Sequence, residues 1–464
     1  MRLKNMTLKT DRQKKMRMRK MKQQKKPYLR IRRTQIQEIY KKEMERIMEF
    51  EFSKKADSFQ AGIFAILNEK KEEMVKAGKK VYNLSVGTPD FKPAPHIMEA
   101  VSEAAKDPEN YKYALTDRPF LLEAVQNFYK RRFGVSIEPE EIMTINGSQE
   151  GMAHIAWALC NPGDVVLTPN PGYPIFSIGP SLCGADVRTY PLYRENGFLP
   201  KLSDIPEETA KAAKYMLVSY PLNPVCATAN DAFYEELIAF AKKYNIIILH
   251  DNAYSDIIYG GREGKSFLSY EGAKEVGVEF YSLSKSYNLT GARISFVIGN
   301  QKIVDKFRSV RTQFDYGVFL PVQYGAAAAL NGPQDAVLAQ CEEYERRNQT
   351  FCGGLRSIGW GCSGQRRYDV CMGTGAKRTW YIGRILYGTD GKNRTDRCAG
   401  QQFRKSRRGI YAICPGRTGS GDAGNCKAIA ESGLLKRKEN DVKAGFLSSF
   451  VKLREKKMSE QTNR

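Results

Sequence analysis

The sequence predicts an α/β fold whose core is a mostly parallel sheet covered by helices on both faces. Three observations carry that expectation. Short β-rich runs recur from Thr144 onward, helical patterns lie between several of them, and the runs are apolar almost throughout rather than alternating. The strands expected are Ile142–Asn146, Val165–Pro169, Met216–Tyr220, Ile246–Asp251, Phe280–Ser284 and Ile294–Gly299. Between the third and fourth, Asp231–Tyr244 repeats apolar residues every three or four positions, as a helix packed on a sheet requires.

Upstream of this alternation, residues 1–34 are rich in Lys, Arg, Met and Gln without apolar periodicity, which predicts disorder. Met48 opens an ordinary Met-Glu-Phe-Glu-Phe start. We therefore read 1–47 as a basic extension foreign to the fold, in preference to an RNA-binding arm or an organelle address.

Charge sharpens this division. The net charge is +23. Residues 1–47 hold 18 Lys/Arg against 4 Asp/Glu, and residues 361–426 hold 13 against 4, so these two segments account for the whole excess. The remainder is neutral, which opposes a basic nucleic-acid-binding surface. No apolar run approaches the length of a membrane span. The ten cysteines show no Cys-x-x-Cys spacing and no pairing rhythm, so neither a zinc site nor a disulfide framework is expected, and a cytoplasmic setting is. Only three histidines are present, His96, His154 and His250, so proton transfer falls to lysine, tyrosine or carboxylates.

Sites in parallel sheets gather beyond the carboxyl ends of the strands. Asn146-Gly147-Ser148-Gln149-Glu150-Gly151 follows the first strand and opens a helix, where glycine lets backbone N–H groups approach an anion. Pro171-Gly172-Tyr173-Pro174 follows the second, Asn223-Pro224 the third, and Asp251 ends the fourth with Tyr254 three residues on. Ser282-Leu283-Ser284-Lys285 ends the fifth, and Arg293 lies eight residues later. Each type suits one task around a phosphorylated pyridine aldehyde. A lysine amine forms an imine, a buried aspartate keeps a ring nitrogen protonated, Asn and Tyr bond a ring oxygen, and Ser, Arg and a helix N-terminus neutralise a phosphate.

At these residues the chain resembles the class I/II aminotransferases of the aspartate aminotransferase fold. Ser-Leu-Ser-Lys-Ser-Tyr-Asn-Leu-Thr-Gly-Ala-Arg looks like that family's pyridoxal-phosphate lysine signature, and the flavour is closest to LL-diaminopimelate aminotransferase-like members. The resemblance implies a pyridoxal 5′-phosphate (PLP) enzyme acting on an amino acid and a 2-oxo acid, built as a homodimer, with no metal. It implies Lys285 as imine former and proton shuttle and Asp251 as partner of the ring nitrogen. Tyr254 and Asn223 would meet the ring oxygen, Tyr173 would stack on the ring, and Ser148, Gln149, Ser282 and Arg293 would hold the phosphate. Ser85-Val86-Gly87-Thr88-Pro89-Asp90-Phe91 resembles the segment whose glycine touches the substrate carboxylate, and Tyr113 the tyrosine lent to the neighbouring subunit's phosphate. A carbon–sulfur β-lyase of the same fold is the alternative enzyme, and an inactive remnant the alternative fate.

Two departures stand out. Asn223-Pro224-Val225-Cys226-Ala227 replaces the family's common Asn-Pro-Thr-Gly-Ala, and Arg118 takes a slot where glycine is frequent. The domain plan expected is a small-domain part over 48–95, a large PLP-binding domain over 96–330, the rest of the small domain over 331–435, and a charged tail over 436–464.

The resemblance stops after Trp360. Segment 361–426 has no glutamate, five of the ten cysteines and no binary pattern able to pack. An out-of-frame origin accounts for this. With suitable codons, Ile385–Cys414 read one base later permits a string resembling the family's missing piece, its carboxylate-binding arginine straddling the codons of Ala412 and Ile413. The normal frame resumes near Lys427. On this reading PLP binding outlasts efficient transamination, because the bidentate clamp on the substrate carboxylate is gone.

Overall fold

The computed structural model describes residues 50–57, 59, 63–78, 81, 87–258, 260, 263–357, 361–363, 371–374 and 410–413. The chain divides into two units, Met1–Gln60 and Ala61–Arg464. Within the first, the described part holds one helical turn, Lys54–Asp57. The expectations for residues 1–47, for the charged tail and for most of 361–426 lie outside the described residues.

The second unit is organised around a seven-stranded sheet of β1 (Ile142–Ile145), β2 (Val165–Asn170), β3 (Asp186–Pro191), β4 (Ala213–Ser219), β5 (Ile247–Asn252), β6 (Gly277–Ser282) and β7 (Ser295–Gly299). Their spatial order is β1-β7-β6-β5-β4-β2-β3. Strands β2 to β6 pair in parallel, whereas β7 runs antiparallel to both β1 and β6. The C-terminal ends of β1 and β6 therefore lie beside the N-terminal end of β7. This reversal carries Arg293, just before β7, to the edge where the other candidate residues gather.

The helices are α1 (Ile63–Lys76), α2 (Pro95–Ala104), α3 (Pro119–Phe133), α4 (Ser148–Leu159), α5 (Ile175–Leu182), α6 (Asp231–Tyr244), α7 (Gln301–Arg311), α8 (Leu320–Asn331) and α9 (Asp335–Ser357). Local chemistry sets their limits. The Asn230 side chain accepts from the Phe233 N–H to start α6, and Asn245 at φ 55° closes it in the left-handed conformation. Gly134, at φ 71°, closes α3 in the same way.

Apart from β3, the strands are buried on both faces. Tyr215, Met216, Val218, Ile248, Leu249, Phe280, Phe296 and Val297 are almost wholly shielded, as the continuous apolar runs require. Each such side chain contributes about 1.5–3 kcal/mol relative to exposure. One polar cluster is built into this core. Glu279 on β6 accepts from Tyr129, from Ser266, from the Phe267 N–H and from His250 Nδ1 on β5, while His250 Nε2 meets Tyr234. Both Glu279 and His250 are 0% exposed.

Several expectations shift. β3 has no continuous apolar run, because it is an edge strand largely exposed to water, and sequence patterning does not find it. β6 ends at Ser282 rather than Ser284, since Leu283–Ser286 winds into a helical turn capped by the Ser282 hydroxyl. Lys285 thus stands on that turn. Cys226, where the family favours glycine, sits at φ 58°, a conformation that side chains adopt at a cost. Cys352 is disulfide-bonded, which the cysteine spacing does not foretell. Near the end of the described residues, Gly361–Ser363, Cys371–Thr374 and Ile410–Ile413 pair as a small antiparallel sheet.

Candidate active site

Strand registry lines up the strand ends that carry the candidate residues. Ser219 pairs with Asp251 across β4 and β5, Asp251 with Phe280 across β5 and β6, and Ser282 with Ser295 across β6 and β7. Asp251, Ser282 and the Lys285 turn are therefore neighbours along one sheet edge. Arg293 and the start of α4 complete that edge on the β1 side.

Asp251 is 7% exposed. Its Oδ2 accepts from the Ser219 hydroxyl at 3.2 Å, and its Oδ1 is buried without a partner. Burial pushes this carboxyl from 3.8 up to about 6, with His250, Ser219 and the Ala253 N–H opposing the rise and Glu279 adding to it. An unpaired, shielded carboxylate oxygen is costly unless a cationic or donor group completes it.

Lys285 is half-buried. Its Nζ donates to the Gly87 carbonyl at 2.9 Å, and its own carbonyl accepts from Gln340 Nε2 at 2.9 Å. Tyr254, 8% exposed, lies three residues beyond Asp251, and half-buried Asn223 follows β4. The Tyr173 hydroxyl donates to Gln149 Oε1 at 2.9 Å. Burial raises the Tyr173 phenol, Asp251 raises it further and Arg293 lowers it, so this ring senses both charges.

At the β1 side, the turn into α4 is shaped for an anion. Gly147 caps the helix at φ 96°, and a Cβ there would stand 2.0 Å from Arg293 Nη2. Arg293, itself at φ 55°, donates to the Thr290 carbonyl at 2.8 Å and the Asn146 carbonyl at 3.1 Å, which fixes its guanidinium over the turn. The Ser148 hydroxyl is buried with no partner. Ser282 accepts from the Ser284 N–H and from the Ser295 hydroxyl at 3.1 Å, so its role in the free protein is local.

Tyr113 is a surface residue. It is 77% exposed and packs edge-on against Tyr316 at 5.1 Å. Sequence reasoning misses Ser219, which braces Asp251, and Gln340, which braces the lysine turn. Ser219 lies within an expected strand, and pairing that strand in parallel with its neighbour sets it beside Asp251. Among the described residues, no group of His, Cys, Asp and Glu is arranged for a metal, and no helix is long and apolar enough to cross a membrane.

The residues fit PLP. The group carries a phosphate, a protonatable ring nitrogen and an aldehyde, and the edge offers an unpartnered Ser148 hydroxyl beside a fixed guanidinium, an unpartnered Asp251 oxygen, and a lysine amine.

Known proteins resemble this chain in sequence and fold. The LL-diaminopimelate aminotransferase of Dehalococcoides mccartyi is 40% identical over 309 residues, 66% of this chain and 80% of the relative. That of Aquifex aeolicus is 42% identical over 312 residues, 67% of this chain and 81% of the relative. Among solved structures, substrate-bound BacF from Bacillus subtilis superposes with a TM-score of 0.75 at 30% identity, covering 83% of this chain and 97% of that one. An aspartate aminotransferase variant of Thermus thermophilus, at 22% identity and a TM-score of 0.73, covers 82% of this chain and all of its own, and shares the fold. The model of the family described as aminotransferase class I and II matches residues 79–381, so the likeness runs past Trp360, the point at which the sequence pattern has it stop. That match spans well over half of the chain, with the lysine turn inside it, and the chain belongs to the class I and II aminotransferase family.

Proposed function

We propose that this aminotransferase binds PLP at the described sheet edge and moves an amino group from LL-diaminopimelate to a 2-oxo acid. The observation that carries the cofactor reading is the unpaired, buried Oδ1 of Asp251 on the same edge as the Lys285 amine. The relatives named above support the choice of donor.

Bound there, PLP would act as a sink for the electron pair released at the substrate's α-carbon. Asp251 would hold the ring nitrogen protonated, so that the sink works, and Ser219 would keep that carboxylate in place. Tyr254 and Asn223 would donate to the ring oxygen, and Tyr173 would cover one ring face. Ser148, Gln149, Ser282, Arg293 and the N-terminus of α4 would take the phosphate. Lys285, as a free amine on the turn that Gln340 braces, would take the proton from the substrate's α-carbon and deliver it onward and back. Gly87, whose carbonyl meets Lys285 Nζ at 2.9 Å, would lie against the substrate carboxylate.

A homodimer completes the reading. Tyr111, Tyr113, Leu115, Tyr316 and Phe319 are large apolar side chains between 46% and 77% exposed, and exposed clusters of this kind mark association surfaces. A second copy would cover them and receive Tyr113 at its phosphate.

Segment 361–426 is, on this reading, translated out of frame, and the arginine that would fork onto the substrate carboxylate is lost with it. Resequencing the gene should find a compensating pair of insertions or deletions flanking the segment. An undisturbed frame ends that explanation. The functional test is amino transfer from LL-diaminopimelate to 2-oxoglutarate, followed as glutamate formation, by this chain and by a frame-repaired one. Strong PLP retention by both, with fast turnover in the repaired chain, is expected. A folded protein indifferent to PLP contradicts the cofactor reading, and pyruvate released from cystathionine without an acceptor would point to the β-lyase instead.

A further inference from the structure

The segment Gly87–Lys92 has no regular secondary structure, yet it is held along its whole length. At one end Gly87 accepts from Lys285 Nζ. At the other, the Lys92 carbonyl accepts from Asn288 Nδ2 at 3.4 Å, and the same amide donates to Gln340 Oε1 on α9 at 2.7 Å. Between them stands Arg347, also on α9, with a side chain only 8% exposed. Its Nη1 donates to Asp90 Oδ1 at 2.8 Å, and its Nε to Glu343 Oε1 at 2.8 Å. The guanidinium lies 4.8 Å from the Phe91 ring centroid, and Phe91 packs edge-on against Tyr344, again on α9, at 5.2 Å.

Helix α9 thus grips two things. Gln340 holds the lysine turn through the Lys285 carbonyl, and seven residues, or about two turns, further on Arg347 holds the Gly87 segment. A guanidinium suits this task because its planar fork serves Asp90 and Glu343 at once while its face covers Phe91. An ammonium would do only part of this. The residues of this anchorage all lie before residue 358.

We propose that Arg347 is a positioning residue for the substrate carboxylate, acting through Asp90 to fix where Gly87 stands relative to Lys285. This rests on the reading of Gly87 as the residue beside that carboxylate. The ligand class follows: any 2-amino or 2-oxo carboxylate, because the carboxylate is common to donor and acceptor. Arg347 touches neither substrate nor cofactor, so its loss acts on substrate binding and leaves the phosphate and ring contacts alone.

The test compares the wild-type chain with Arg347→Met, Arg347→Lys and Asp90→Asn in the frame-repaired enzyme. Hydrogen exchange is read on the apoprotein. In Arg347→Met the amides of Gly87–Lys92 should exchange at least about tenfold faster, while those of β5 are unchanged. In turnover, the KM for LL-diaminopimelate and the KM for 2-oxoglutarate should both rise about tenfold or more, with kcat within about threefold and PLP affinity unchanged, since the lost interaction is one of orientation before chemistry. Arg347→Lys should fall between. Asp90→Asn leaves the guanidinium its Glu343 partner and serves where Arg347→Met does not fold; the same KM pattern is expected. Unchanged exchange across 87–92, unmoved KM values, or a fall in PLP affinity in step with kcat overturns the proposal. Should the wild-type chain bind no PLP, the functional reading fails instead, and the exchange rates still decide whether Arg347 holds the segment.

Discussion

Lys285 Nζ and the Gly87 carbonyl share a hydrogen bond of 2.9 Å across 198 residues of sequence. The amine proposed to carry the chemistry is therefore tied to the segment proposed to meet the substrate carboxylate. Were PLP held at this edge, Lys285 would exchange its bond to the Gly87 carbonyl for the cofactor, an exchange costing on the order of 1 kcal/mol. The same contact keeps the segment near the lysine before any substrate arrives.

Gly147→Ala should weaken PLP binding without unfolding the protein. A Cβ at this position would meet Arg293 Nη2 at 2.0 Å, and the backbone stands at φ 96°, where a side chain is strained. The arginine can swing away, so the fold survives, but it leaves the proposed phosphate site. A loss of at least about tenfold in PLP affinity is expected, with the urea midpoint lowered by the equivalent of about 1–2 kcal/mol. Fluorescence titration with PLP measures the first, and unaltered affinity counts against the phosphate assignment.

Asp251→Asn should stabilise the apoprotein at alkaline pH while weakening its hold on PLP. The folded carboxyl titrates at about 6 and the ordinary one at 3.8, so the folded state binds more protons within that window. Stability from this group therefore falls as pH rises through the window, and the penalty is complete above pH 6. It amounts to at most about 3 kcal/mol. Removing the charge removes the penalty, so urea midpoints of variant and parent should diverge above pH 6 and converge near pH 4. Parallel curves contradict the burial argument.

His250→Phe should cost about 3–5 kcal/mol of stability, because it strips Glu279 of its buried partner. Burial pushes the Glu279 carboxyl up, but bonds from His250, Ser266 and the Phe267 N–H outweigh it and hold it below the ordinary 4.5. A depressed carboxyl contributes stability that is present above its unfolded value and lost as pH falls through the folded one. The parent should accordingly lose this contribution in acid, and the variant should show less acid sensitivity. The double variant with Glu279→Leu should be less damaged than additivity predicts. A mild, additive effect would mean that the cluster is not coupled.

Much of the site is legible in the amino-acid sequence alone. Asp251, Asn223, Lys285 and Ser148 stand out because each lies at the end of an apolar run or within four residues beyond it, and parallel sheets put such positions together. Helix α6 is legible to the residue because its periodicity, its Asn230 cap and its Asn245 stop agree. β3 is not, because an exposed edge strand needs no apolar run. Ser219, Gln340 and Arg347 escape for another reason. Their significance lies in register and long-range packing, across 32, 55 and 257 residues respectively, and no local pattern announces it. In 361–426 the patterning is missing from the sequence itself.

Borohydride reduction of the PLP-loaded protein, followed by peptide mapping, bears most directly on the assignment of Lys285 as the imine-forming amine. A single stable pyridoxyl label on Lys285, lost in Lys285→Ala, is the expected result. A label on any other lysine, or none on a folded protein saturated with PLP, would contradict it.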